Sequence, residues 1–125
     1  MAKSASKKPA SPLTSRSLAR LVAQSAFDVK AEEIIVLDLR TLSSFTDYFV
    51  IASGRSDRQV RAMADRIEEN VKKRRPISVE GYAKGHWILI DYGEVVAHIF
   101  YEETRTFYSL EKLWGDAPRL RLKLK

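Results

Sequence analysis

The stretch Trp87-Ile88-Leu89-Ile90-Asp91-Tyr92-Gly93-Glu94-Val95-Val96-Ala97-His98-Ile99-Phe100 decides the architecture. Two runs rich in β-branched and aromatic residues flank Gly93-Glu94, a pair that fits a two-residue primed turn with glycine at its first central position. Such a turn fixes the register. Tyr92 then faces Val95, Asp91 faces Val96, Ile90 faces Ala97, Leu89 faces His98, Ile88 faces Ile99 and Trp87 faces Phe100. Alternation along each strand sorts the side chains onto two faces. One face holds Ile88, Ile90, Tyr92, Val95, Ala97 and Ile99, and is expected to pack on helices. The other holds Trp87, Leu89, Asp91, Val96, His98 and Phe100, large apolar groups mixed with two polar ones. Tryptophan is over-represented at binding hot spots, where truncation costs about 2 kcal/mol or more, so this second face is a candidate partner-binding surface. Two other readings fit the same pattern: a C-terminal segment folded back over the face, or an ordinary half-buried sheet.

Moving upstream, Thr14 or Ser15 caps a first helix in which Leu18, Leu21, Val22, Ser25 and Ala26 share a stripe, running to about Phe27. Ile34–Leu37 and Tyr48–Ala52 are short continuous apolar runs that suit strands buried on both faces. Ser56-Asp57-Arg58-Gln59 has the spacing of a capping box, and the helix it opens places Val60, Met63, Ala64, Ile67 and Val71 on one side. That helix is expected to end in Lys72-Lys73-Arg74-Arg75 before Pro76, where basic residues complement the negative helix end as well as they would serve RNA. Ile77–Glu80 reads as an edge strand. Downstream of the hairpin, Phe107, Leu110 and Trp114 fall at helical spacing, which predicts a short final helix with all three on one side. The order of elements predicts an α/β (α+β) domain: a mixed sheet of about five strands with helices mainly on one face.

Composition narrows the chemistry. A chain of 125 residues suits one domain, and no apolar run approaches the roughly 18 residues of a membrane helix. There is no cysteine, hence no disulfide or thiolate site, and the only histidines are His86 and His98. The net charge of +6 resides in the two ends. Residues 1–14 contribute +3 through Lys3, Lys7 and Lys8, and residues 116–125 contribute +3 through Arg119, Arg121, Lys123 and Lys125 against Asp116. A neutral body with basic ends suits work beside a polyanion such as RNA or the ribosome, although solvated tails explain the same pattern. Residues 1–14 are expected to be disordered, residues 15–115 to form the domain, and residues 116–125 to form a basic tail. The N-terminal stretch lacks the apolar core of a secretory signal. Its basic, Ser-rich character is shared with organellar transit peptides, but it is short and holds two prolines, so a cytoplasmic protein is expected.

Catalytic readings find little purchase. Asp38, Asp47 and Asp91 together with the Ser53-Gly54-Arg55-Ser56 turn have the outline of a nucleotidyltransferase site. That chemistry wants paired carboxylates on the strand after the turn and helix, and Ile77-Ser78-Val79-Glu80 offers a single acid. His98 lacks a serine nucleophile beside it, and there is no phosphate loop or dinucleotide glycine motif. No enzyme activity, cofactor or metal is expected.

Four pieces in register carry a family resemblance. They are Lys30–Asp38, Thr46–Gly54, Glu80-Gly81 with Trp87–Phe100, and Phe107–Trp114. Over residues 16–115 the chain resembles the Iojap/RsfS family of ribosomal silencing factors. The resemblance implies a nucleotidyltransferase-like fold without the catalytic carboxylates. It also implies a translation repressor that binds the large ribosomal subunit through its ribosomal protein number fourteen. Bulk then obstructs joining of the small subunit when nutrients are scarce. Homodimers are implied for the free form, and neither DNA nor a membrane is expected as a partner. Trp87, Asp91 and His98 occupy the family's hairpin positions on the mixed face, which makes Trp87, Leu89, Asp91, Val96, His98 and Phe100 the expected docking residues, with Trp87 as anchor. Leu110, Leu113 and Trp114 are expected in the core first and at an interface second. The tails depart from the family core, and Arg119, Arg121, Lys123 and Lys125 are expected to add rRNA phosphate contacts. The alternative is an RNA-contacting factor for assembly of the large subunit, with the tails primary and the hairpin secondary.

Overall fold

Thr14 Oγ1 accepts from the Ser17 amide at 3.0 Å and opens α1 (Ser15–Asp28), as its position predicts. The computed structural model describes residues 13–125, so Lys3, Lys7, Lys8 and nearly all of the expected disordered segment lie outside the described residues. After α1 come β1 (Glu32–Asp38), β2 (Tyr48–Gly54), α2 (Asp57–Asn70), β3 (Ser78–Glu80), β4 (Trp87–Asp91), β5 (Val95–Tyr101), α3 (Glu102–Tyr108) and α4 (Leu110–Leu113). The five strands form one mixed sheet in the order β1-β2-β5-β4-β3. Only β2 and β5 run parallel, joined by the crossover through α2, while the remaining neighbours are antiparallel.

The hairpin register is the one the turn predicts: Trp87 opposite Phe100, Ile88 opposite Ile99, Leu89 opposite His98, Ile90 opposite Ala97 and Asp91 opposite Val96. Gly93 sits at φ +91°, a backbone state that L side chains rarely adopt. The apolar hairpin face packs, fully buried, against Leu18, Val22, Val60, Met63 and Ile67 of α1 and α2. β1 is buried on both faces at its centre, with Val36 in that core and Leu37 in a second, smaller one. The second core lies on the opposite side of the sheet, where Leu37, Leu39, Ile51, Phe100 and Ala117 are joined by Leu110 and Trp114.

Four expectations need correction. Ser56 Oγ accepts from the Gln59 amide, but the Gln59 side chain accepts from the Arg55 amide and donates to Val29 and Lys30 carbonyls, so it ties α2 to the end of α1 instead of closing a reciprocal box. The basic run Lys72–Arg75 lies past the end of α2, and Arg74 pairs with Glu94 and donates to the Tyr92 carbonyl, bracing the hairpin turn. The final helix is broken in two at Ser109, which adopts φ +48°. The break turns Phe107 and Leu113 outward, 80% and 75% exposed, while Leu110 and Trp114 pack on the sheet.

The fourth correction concerns residues 116–125. The Asp38 amide donates to the Pro118 carbonyl at 2.7 Å and the Leu120 amide to the Val36 carbonyl at 2.8 Å, which places this segment along the outer edge of β1. Leu120, Leu122 and Leu124 pack against the main core, and Arg119, Arg121, Lys123 and Lys125 alternate with them outward. Alternation with a period of two is the signature of an extended chain laid on an apolar surface. It also covers an edge that would otherwise offer unpaired strand groups.

Candidate partner-binding face

On the sheet face away from α1 and α2, β4 and β5 bring the six expected docking residues together, but not equally to the surface. Trp87, Leu89, Asp91 and Val96 are partly exposed. Phe100 is fully buried in the smaller core that Leu110, Trp114 and Ala117 complete, so it supports the face and offers no surface for contact. The fold-back reading therefore holds for one end of the face, and the open surface lies toward the hairpin turn. Asp91 Oδ1 accepts from the Gly93 amide at 2.8 Å, which assigns it to shaping the turn.

Trp87 is held on three sides. Its ring lies 4.8 Å from that of Phe100 and 4.9 Å from that of Tyr108, and its indole N–H donates to His98 Nδ1 at 3.2 Å. The backbone beneath is fixed by Gly81 at φ +83°, where a Cβ would fall 2.0 Å from the Trp87 carbonyl oxygen. His98 is only 4% exposed, with Phe49 edge-on at 4.5 Å. Because Nδ1 accepts from tryptophan, the neutral ring carries its proton on Nε2, and that buried N–H has no partner among the described residues. Burial pushes the pKa of His98 down to about 4, so the ring is neutral near pH 7.

Residues outside the hairpin extend the face. Phe45, in the loop between β1 and β2, and Ile77, just before β3, are 90% and 72% exposed. Together with Phe49, Leu89, Val96 and His98 they line a shallow cleft of about 370 Å³. Beyond Trp87, the exposed Phe107 and Tyr108 continue the apolar surface onto α3. A run of large exposed apolar groups on this scale is the mark of an interaction surface. Phe45 carries no periodic signal, and the signal in Phe107 points inward; only their burial state reveals them.

The groups of the catalytic outline have structural work. Asp38 takes a two-pronged contact from Arg40 at 2.7 and 2.9 Å, and this hydrogen-bonded guanidinium holds its carboxyl below the usual range. Ser53 Oγ accepts from Arg105 at 2.7 Å, and Ser56 caps α2. Among the described residues no group of three or more potential metal ligands gathers.

Arg105, which the sequence does not flag, is the pin that holds α3 and α4 to the sheet. Its buried guanidinium donates to the Glu33 carbonyl at 2.6 Å, to Ser53 and to the Glu111 carboxylate at 2.9 and 3.0 Å. Burial works against ionisation of Glu111, but the hydrogen bonds from Arg105 and from its own backbone outweigh it, and the carboxyl titrates below its ordinary value.

These features define a small α+β domain with a partly exposed apolar sheet face. The family described as "Ribosomal silencing factor during starvation" matches residues 12–125, and the chain belongs to that family. The match runs through the basic C-terminal residues, in keeping with their packing. The chain is 42% identical over 113 residues to the ribosomal silencing factor RsfS of Bacillus subtilis, covering 85% of this chain and 92% of that one. It is 37% identical to the chloroplastic protein Iojap of Arabidopsis thaliana, over 81% of this chain and 43% of the longer plant protein. Among solved structures, a Chromobacterium violaceum protein superposes with a TM-score of 0.79 at 30% identity, covering 90% of this chain and 94% of that one. A Bacillus halodurans protein gives 0.76 at 35% identity, covering 86% and 99%. Among the described residues no helix is long and apolar enough to cross a membrane.

Proposed function

We propose that this protein is a ribosomal silencing factor that docks on the large ribosomal subunit, through ribosomal protein number fourteen, and blocks association with the small subunit by its bulk. Repression under nutrient limitation, in the cytoplasm, follows from the same reading. The observation that carries it is the apolar surface formed by the exposed Phe45 and Ile77 and the partly exposed Trp87, Leu89 and Val96 around the N–H of His98, which has no partner among the described residues. A partner that covers the cleft and offers one acceptor to Nε2 would satisfy a buried donor whose desolvation otherwise goes uncompensated. The same apolar surface would be covered in a homodimer of the free protein, which the ribosome must then compete apart.

Subunit joining, followed by light scattering with purified large and small subunits, tests this reading. The protein slows joining when bound beforehand to the large subunit, and leaves it unchanged when it cannot bind. Binding without any effect on joining favours the alternative, an RNA-contacting factor in large-subunit assembly, which draws its support from the outward row Arg119, Arg121, Lys123 and Lys125.

A further inference from the structure

We infer that the cleft between α1 and the C-terminal segment is a second binding site, one that takes the phosphate backbone of double-helical RNA. The inference rests on the ribosomal reading for where such RNA is met, but not for the binding itself. The cleft has a volume of about 480 Å³ and is lined by four cations, Arg20, Arg121, Lys123 and Lys125, over Leu21 and Leu122, with no acidic side chain among the described residues. Arg16 stands one turn before Arg20 on the same exposed side of α1, and Arg119 precedes Arg121 on the outward row of the segment. Among the described residues none of these six cations makes an ion pair, although Arg40, Arg55, Arg61, Arg66, Arg74 and Arg105 all do. Asp38, whose field reaches Arg16, is already held by Arg40.

The row is built into the fold. Leu120, Leu122 and Leu124 anchor it to the core, and the Lys125 amide donates to Gln24 Oε1 while Gln24 Nε2 donates to a main-chain oxygen of Lys125, both at 3.1 Å. Cations at alternate positions of an extended chain repeat every 6.6–6.8 Å or about that, close to the repeat of phosphates along one nucleic-acid strand. A row fixed in advance loses little entropy on binding. Among the described residues no aromatic side chain lines the cleft, so bases find no stacking platform there, and recognition falls on the backbone, independent of sequence. The cleft sits over α1, on the other side of the sheet from Trp87, so RNA and a protein partner can be held at once.

Fluorescence anisotropy of a short labelled RNA duplex against the full chain, from 50 to 200 mM salt, reads the site directly. Four phosphate contacts predict a loss of affinity of about 100-fold over that range, because each contact contributes a log–log slope of about −0.9 on a duplex. Arg121→Gln with Lys123→Gln is expected to reduce the loss to about 10-fold. Arg20→Gln, on α1, is expected to lower the slope by about one. Trp87→Ala is expected to keep the full salt dependence. Failure of the duplex to bind, or equal slopes in the wild type and the double variant, overturns the inference, as does binding confined to phosphatidylserine vesicles. If Arg20→Gln changes nothing while the double variant does, the cleft is wrong and a C-terminal contact alone remains. No ribosome enters this assay, so its failure leaves the docking reading standing, and normal subunit joining with intact duplex binding strikes the docking reading alone.

Discussion

The indole N–H of Trp87 donates to Nδ1 of His98 across the β4–β5 ladder, one step off the directly opposed pairs Trp87–Phe100 and Leu89–His98. This diagonal bond fixes the tautomer of a buried imidazole and the orientation of a partly exposed tryptophan on the open face. It makes the proposed docking face a preformed one, with the tryptophan rotamer set by the fold itself.

The burial of His98 carries a pH dependence of known sign. Its pKa falls from the ordinary value of about 6.5 to about 4 on folding. In that interval the unfolded chain binds the extra proton, so stability is full above pH 6.5 and is lost as pH falls toward 4. Between pH 7.5 and 5 the expected loss is about 2 kcal/mol. Urea denaturation at the two pH values measures it. His98→Gln should flatten the profile in this window, and an unchanged profile would show that His98 does not titrate as its burial dictates.

Trp87→Ala removes the proposed anchor and is expected to weaken binding to large subunits by about 2 kcal/mol, roughly 30-fold. Because Trp87 also packs on Phe100 and Tyr108, some stability goes with it. Phe45→Asp and Ile77→Asp avoid that ambiguity, since both side chains are almost bare. They are expected to leave the thermal melt within about 0.5 kcal/mol of wild type while reducing affinity. Sedimentation with large subunits, beside circular dichroism melts, separates the two effects. Normal affinity in both aspartate variants would remove this cleft from the interface.

The hairpin is legible in the sequence because glycine in a two-residue turn fixes register, and register fixes faces. The stripe Val60, Met63, Ala64, Ile67 and Val71 is legible for the same kind of reason, a strong period, and all five side chains are buried. Phe107 is not, because a helical spacing assumes an unbroken helix, and Ser109 at φ +48° rotates everything before it away from Leu110 and Trp114. Arg105 is invisible to periodicity, since its partners Glu33, Ser53 and Glu111 come from three separate stretches of chain. In the C-terminal segment the period-two alternation of leucine and cation does announce an amphipathic strand. Charge counting alone reads the same residues as a solvated tail.

Arg105→Met tests the pin. The substitution strips two donors from Glu33 and Ser53 and leaves the Glu111 carboxylate half-enclosed without its counter-charge, which is expected to cost about 3 kcal/mol. Arg105→Lys should recover little of it, because a point ammonium cannot serve three acceptors in a planar fork. Denaturant midpoints read both variants. Limited proteolysis should cut first at α3 and α4, the elements the pin holds.

The two rows of the C-terminal segment should separate cleanly by mutation. Leu122 and Leu124 are partly buried against the core, whereas Arg121 and Lys123 alternate with them on the exposed side. Leu122→Asp with Leu124→Asp forces carboxylates toward an apolar surface and is expected to cost about 2 kcal/mol, a fall in Tm of about 10 °C for a domain of this size. Arg121→Gln with Lys123→Gln touches no packing contact and should stay within about 0.5 kcal/mol of wild type. Differential scanning calorimetry of the two double variants decides the matter. Equal Tm values would mean that the segment is a free tail after all, and that its cations are not held in a fixed row.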